Sequence, residues 1–108
     1  MLTLFLLKHR AEGVDVERFR QYMRDQRPPA LTGIPDLERY DLWFPTEEEP
    51  VYDSIEALSV VDREALDRVL ESPVAEELHE EGQEYVDFDA EDHLIVENAV
   101  SERSLGKQ

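Results

Sequence analysis

Three histidines and a set of aromatic side chains are the residues whose types and spacing could do chemistry in this sequence. His79 stands among Glu76, Glu77, Glu80 and Glu81. Carboxylates three residues before and one after it could hold a cation on a helix surface, although a solvated acidic helix face accounts for the same run. His9 closes the first apolar segment and His93 opens the last, an order that could bring both to one end of a sheet. Strand-end histidines are nevertheless more often exposed or hydrogen-bonded than catalytic. Tyr22, Tyr40, Trp43, Phe44 and Tyr52 could line a concave apolar pocket whose polar tips orient a ring-shaped ligand; core packing explains them equally well. Tyr40 and Trp43 are an odd number of positions apart, so a straight strand points them to opposite faces. The sequence has no metal-ligand spacing, no Gly-rich phosphate loop and no nucleophile motif, and four glycines are too few for a dinucleotide fingerprint. It implies no cofactor.

The elements that must position these residues follow the order strand, helix, strand, strand, helix, strand. Leu2 to Leu7 is short and apolar on both faces, bounded by Lys8-His9-Arg10, and reads as a central buried strand. Gly13 marks a turn. Asp15 is placed to cap the next helix, with Val14 and Phe19 as a hydrophobic staple and Val16, Phe19 and Met23 along one face. That helix is expected to end before Pro28-Pro29, because proline disfavours helical geometry in the residue before it. Strand two is expected over Leu37–Phe44 and strand three over Tyr52–Val61, with an acidic loop between them. In strand three Tyr52, Glu56, Leu58 and Val60 share one side, and Ile55, Ala57 and Val61 the other. Asp62 caps a following helix, Ser72-Pro73 restarts helix with a cap and a proline in its first turn, and Gly82 stops it. Asp92–Asn98 is the last strand, and residues 101–108 form a polar tail beyond a single domain over residues 1–100.

A βαββαβ order with both helices on one face of a four-stranded antiparallel sheet is the ferredoxin-like α+β arrangement. Its other face requires cover, since Leu2, Leu4 and Leu6 on one side of strand one and Phe5 and Leu7 on the other are all apolar. A second copy covering that face would give a two-fold homodimer with a barrel-like core, a dimeric α/β barrel.

The 108 residues allow one domain, and a 41% hydrophobic content fills its core without staples. The absence of cysteine removes thiol catalysis, zinc–thiolate sites and a cystine scaffold together, and favours a cytoplasmic location. Against 27 acidic residues stand 11 basic ones, a net charge of −16. A domain with that balance and no basic block is unsuited to nucleic acid or to an anionic membrane. Lys8 and Lys107 are the lysines, the other nine basic residues being arginines. Such a composition is similar to that of proteins from extreme halophiles, where salt screens self-repulsion. The longest apolar runs fall far short of the roughly 20 residues that span a bilayer.

Leu6-Leu7-Lys8, Phe19-Arg20-Gln21-Tyr22-Met23-Arg24, Leu37-Glu38-Arg39-Tyr40, Tyr52-Asp53-Ser54-Ile55, Leu70-Glu71-Ser72-Pro73 and Tyr85-Val86-Asp87-Phe88-Asp89 give the chain, over residues 2–100, a pattern that resembles the EthD family. The resemblance implies a ferredoxin-like homodimer, with relatives linked to degradation of ethers and aromatic compounds or to polyketide oxidation and cyclisation. Where that family commonly has Tyr-Trp-Arg-x-x-His-x-Pro-Leu, this chain reads Tyr22-Met23-Arg24-Asp25-Gln26-Arg27-Pro28-Pro29-Ala30. Arg27 thus occupies the family's histidine position. A guanidinium stays protonated and can stabilise an anion or anchor a carboxylate, but cannot act as a base. A second histidine position, just after the proline of the later helix, holds Val74 and Ala75.

Two readings of function follow from the resemblance. In the first the chain is a cofactor-free oxidoreductase or cyclase-like enzyme acting on a hydrophobic or aromatic compound. Its ligand-binding residues would be Tyr22, Arg27, Tyr40, Trp43 and Tyr52, with arginine and phenols stabilising an enolate or phenolate. In the second it is a non-catalytic dimeric binding or accessory protein on the same scaffold. Arg27 separates them: an active pocket requires it part-buried near Tyr22 or Tyr52 with donors free, whereas a bystander would form a surface pair with Asp25 or a nearby glutamate.

Overall fold

The computed structural model of the chain describes residues 1–102. Residues 2–7 pair along both edges, and this central strand, β1 (Leu2–Lys8), is followed by α1 (Val16–Leu31), β2 (Arg39–Trp43), β3 (Ser54–Val60), α2 (Arg63–Leu70), α3 (Pro73–Gly82) and β4 (Asp92–Glu97). The sheet has the order β2-β3-β1-β4, antiparallel throughout, which is the ferredoxin-like topology. No helix is long and apolar enough to cross a membrane among the described residues. Most of the expected tail, 103–108, lies outside the described residues.

The helix starts obey the cap chemistry of the sequence. Asp15, Asp62 and Ser72 each accept a hydrogen bond from the backbone N–H three residues on, at Arg18, Ala65 and Ala75. Val14 and Phe19 are buried in one cluster with Tyr22, Met23 and Val86, as a hydrophobic staple demands. The expected end of α1 before Pro28-Pro29 is corrected: the helix runs through both prolines to Leu31. The two missing N–H donors leave the carbonyls of Arg24 and Asp25 without helical partners, but both residues are exposed and water can serve them. Beyond the prolines, Thr32 donates its N–H to the Pro28 carbonyl at 3.0 Å, closing the last turn and keeping Leu31 buried.

The register sorts the sheet into two faces. Leu4, Leu58 and Val60 point toward the helices and pack with Leu31, Ile34, Ala65, Leu66, Val69 and Leu78. On the opposite face Phe5 stacks on Trp43 with ring centroids 6.5 Å apart, beside Leu7, Ile55, Leu94 and Val96, which the register places on that side. Trp43 and Leu94 are about half exposed there, at 46% and 58%.

Candidate functional site

Glu56 lies on the helix-facing side of β3, in phase with Leu58 and Val60, and is fully buried. Bringing a bare carboxylate there would be prohibitive. It is compensated from three elements. Arg27 on α1 donates Nε to Oε2 at 2.6 Å, Tyr40 on β2 donates its hydroxyl to the same oxygen, and Lys8 at the end of β1 sets its ammonium 3.5 Å from Oε1. Lys8 in turn is paired with Glu91, between α3 and β4. The result is a row of alternating charge, Glu91, Lys8, Glu56 and Arg27, drawn from most of the fold.

Burial alone would push the Glu56 carboxyl up, but Arg27 and then Lys8 outweigh it and hold the group below its ordinary range. Burial also opposes the charge on Arg27, and Glu56 overcomes it, so the guanidinium is held charged. For Tyr40, burial and then the adjacent Glu56 charge push the phenol strongly up, so it stays a neutral donor. Tyr22 is raised by burial, with Arg27 opposing. Its ring stacks on Tyr85 at 4.4 Å, and its buried hydroxyl, close to Arg27, makes no hydrogen bond of good geometry to a described residue.

Against this row lies a cavity of about 400 Å³ between the sheet and the helices. Leu6, Leu31, Leu58, Val69, Leu78 and Phe88 give it apolar walls, while Lys8, Arg27, Glu76, His79 and Glu91 supply polar groups. Its size falls within the range of small-molecule sites. Arg27 gives Glu56 one of its five N–H donors and contributes to the cavity wall as well.

Of the five residues singled out from the sequence, the structure brings together Tyr22, Arg27 and Tyr40. Arg27 meets neither of its two expected fates in full: it is buried near Tyr22, but a carboxylate from the sheet core holds it. Trp43 stands on the other face of the sheet, as the odd spacing from Tyr40 requires. Tyr52 lies at the sheet end, donating its hydroxyl to Asp92 at 2.7 Å and meeting the His9 ring at a tilt with centroids 5.0 Å apart. Sequence reasoning passed over Lys8, Glu56 and Glu91. The usable signal was phase: Glu56 falls on the side of Leu58 and Val60, and Lys8 on the side of Leu2, Leu4 and Leu6. His79 is exposed together with Glu76, Glu77, Glu80 and Glu81, as the solvated acidic face expected, and it also borders the cavity.

The sequence matches the family model for the REDY-like protein HapK over residues 2–99. Among solved structures, HapK from Hahella chejuensis is 17% identical, covering 98% of this chain and 100% of its own, with a TM-score of 0.76. An EthD family protein from Bacillus halodurans is 16% identical, covering 92% and 99%, with a TM-score of 0.76. A protein from Bacteroides fragilis described as dimeric and ferredoxin-like is 8% identical, covering 90% and 95%, with a TM-score of 0.70. At these identities the likeness is one of fold, and it agrees with the EthD resemblance. Among curated proteins none matches the sequence.

Proposed function

The chain belongs to the family of the REDY-like protein HapK, and from that premise we propose that it is a homodimeric small-molecule protein whose helix-side cavity takes a hydrophobic ring compound, with an oxygen of the ligand held by Lys8 and Arg27. One observation carries this reading. A cavity of about 400 Å³ with aliphatic and aromatic walls ends on two buried cations, which is the layout that binds an apolar body by one polar group. Cations are strong donors to oxygen acceptors, and their own carboxylate partners keep the site electrically balanced. Oxidoreductase or cyclase-like chemistry without a cofactor is the catalytic form of this reading. The charge row itself offers no free carboxylate as a base, since Glu56 and Glu91 are both ion-paired, so by itself it serves the second form, a binding or accessory protein, equally well.

Calorimetry with a panel of aromatic acids, quinones and cyclic ketones tests the reading. Ala75 lines the cavity without belonging to the ion row, so Ala75→Phe fills the space and leaves the charges in place. A ligand that binds the parent and not the variant supports the site. Equal binding to both contradicts it.

A further inference from the structure

The acid–base groups around the cavity are mostly committed. Glu56 and Glu91 are held by cations, and the phenols of Tyr22 and Tyr40 are pushed up and stay neutral. His79 is different. It lines the cavity from α3, close to Ala75 and Glu76, and forms none of the side-chain hydrogen bonds among the described residues. Its ring tilts onto Phe88 with centroids 4.3 Å apart, and the Lys8 ammonium lies 5.0 Å from the centroid of that same ring. An imidazole and a buried cation are therefore gathered around one aromatic ring at one end of the cavity. His79 is itself exposed and also lines a second concavity with Glu12, Gln83 and Asp87, so its ring can exchange protons with solvent. Histidine is the side-chain type that exchanges protons near neutral pH.

We infer that His79 is the proton-exchanging catalytic residue of this cavity and that its substrates are cyclic carbonyl compounds with an enolisable C–H. The inference rests on the cavity reading above. The neutral imidazole takes the proton from the carbon beside the carbonyl. The C–H electron pair becomes the C=C π bond, and the C=O π pair moves onto oxygen. The products are an imidazolium and an enolate whose charge faces Lys8 and Arg27, where fixed donors stabilise it most. Return of the proton to carbon or oxygen restores the imidazole, and no oxidant, reductant or second reactant is consumed.

The experiment follows deuterium uptake into 2-tetralone and 1-indanone in heavy water by NMR, with saturation-transfer spectra recording binding in the same samples. The wild-type protein is expected to accelerate uptake over the protein-free rate. His79→Gln is expected to lower the protein-dependent rate about 100-fold, in the range typical of a lost general base, while binding persists. Glu80→Gln, which removes an exposed charge on the same helix outside the cavity lining, is expected to change the rate less than threefold. His79→Asn serves if the glutamine variant has a lowered melting temperature. Binding without acceleration, or acceleration that survives both histidine variants, overturns the role of His79 and leaves the cavity reading standing. Absence of binding by both ketones overturns the cavity reading and this inference with it.

Discussion

At the scale of single residues the structure turns on Glu56. An acid in the middle of a buried strand is tolerated because Arg27, Tyr40 and Lys8 surround it, and the four form a unit from which one member cannot be withdrawn cheaply. Glu56→Gln leaves two buried cations without their shared anion and is expected to cost about 3–5 kcal/mol in urea unfolding. The pH dependence has a definite sign. The folded-state pKa of Glu56 is below its ordinary value of 4.5, so its stabilisation is complete above that value and is lost as the pH falls through the folded pKa. The stability difference between wild type and Glu56→Gln is therefore expected to be constant at neutral pH and to shrink below about pH 4.5; a difference independent of pH down to 2 would contradict the ionised state. Little of this was legible in the sequence. Strand phase placed Glu56 with Leu58 and Val60, but an alternating pattern does not say which cation reaches a buried carboxylate. Arg27 was marked only by the family position it fills, and its partner lies 29 positions away.

The elements were far more legible, because their signals are local. Asp15, Asp62 and Ser72 announce helix starts by side-chain chemistry acting over three residues, and each does so here. The end of α1 was not legible. Pro28 and Pro29 removed helical donors as expected, but burial of Leu31 on the core side kept the chain helical while the orphaned carbonyls faced water. Element packing also fixes Gly82, the last residue of α3. A Cβ there would come 2.7 Å from the Tyr22 hydroxyl and 3.1 Å from Phe88 Cζ. Gly82→Ala must displace the Tyr22 or Phe88 side chain, and is expected to cost about 1–3 kcal/mol through overpacking. Chemical denaturation checks the cost. A neutral or stabilising effect would mean that Tyr22 and Phe88 have more room than the packing shows.

For the whole molecule the open face of the sheet sets the expectation. Phe5, Trp43, Leu94 and Val96 form a contiguous apolar surface on the side away from the helices, and a monomer seldom leaves such a surface in water. A two-fold pair through this face is the expected assembly, and the net charge of −16 on each copy makes it dependent on screening. Sedimentation equilibrium is expected to show a dimer in molar salt and weaker association at low salt, with Trp43→Glu a monomer in both. A monomeric wild-type protein at every salt concentration would contradict the pairing and the halophile-like reading of the composition. The topology itself was legible from element order, since short connections and two helical crossovers leave few arrangements. The cavity was not, because it is the space left between elements whose contacts are all non-local.

The claim that this space is a small-molecule site on Lys8 and Arg27 is tested most directly by locating a bound probe. Methyl-labelled protein in the presence of 2-tetralone should show nuclear Overhauser contacts from the ketone ring to the methyls of Leu58, Val69 and Leu78, which line the cavity. Those contacts should vanish in Ala75→Phe. Contacts from the ring to Ile55, Leu94 and Val96 on the open sheet face, with none to the cavity methyls, would place the ligand on the wrong side of the sheet and contradict the account.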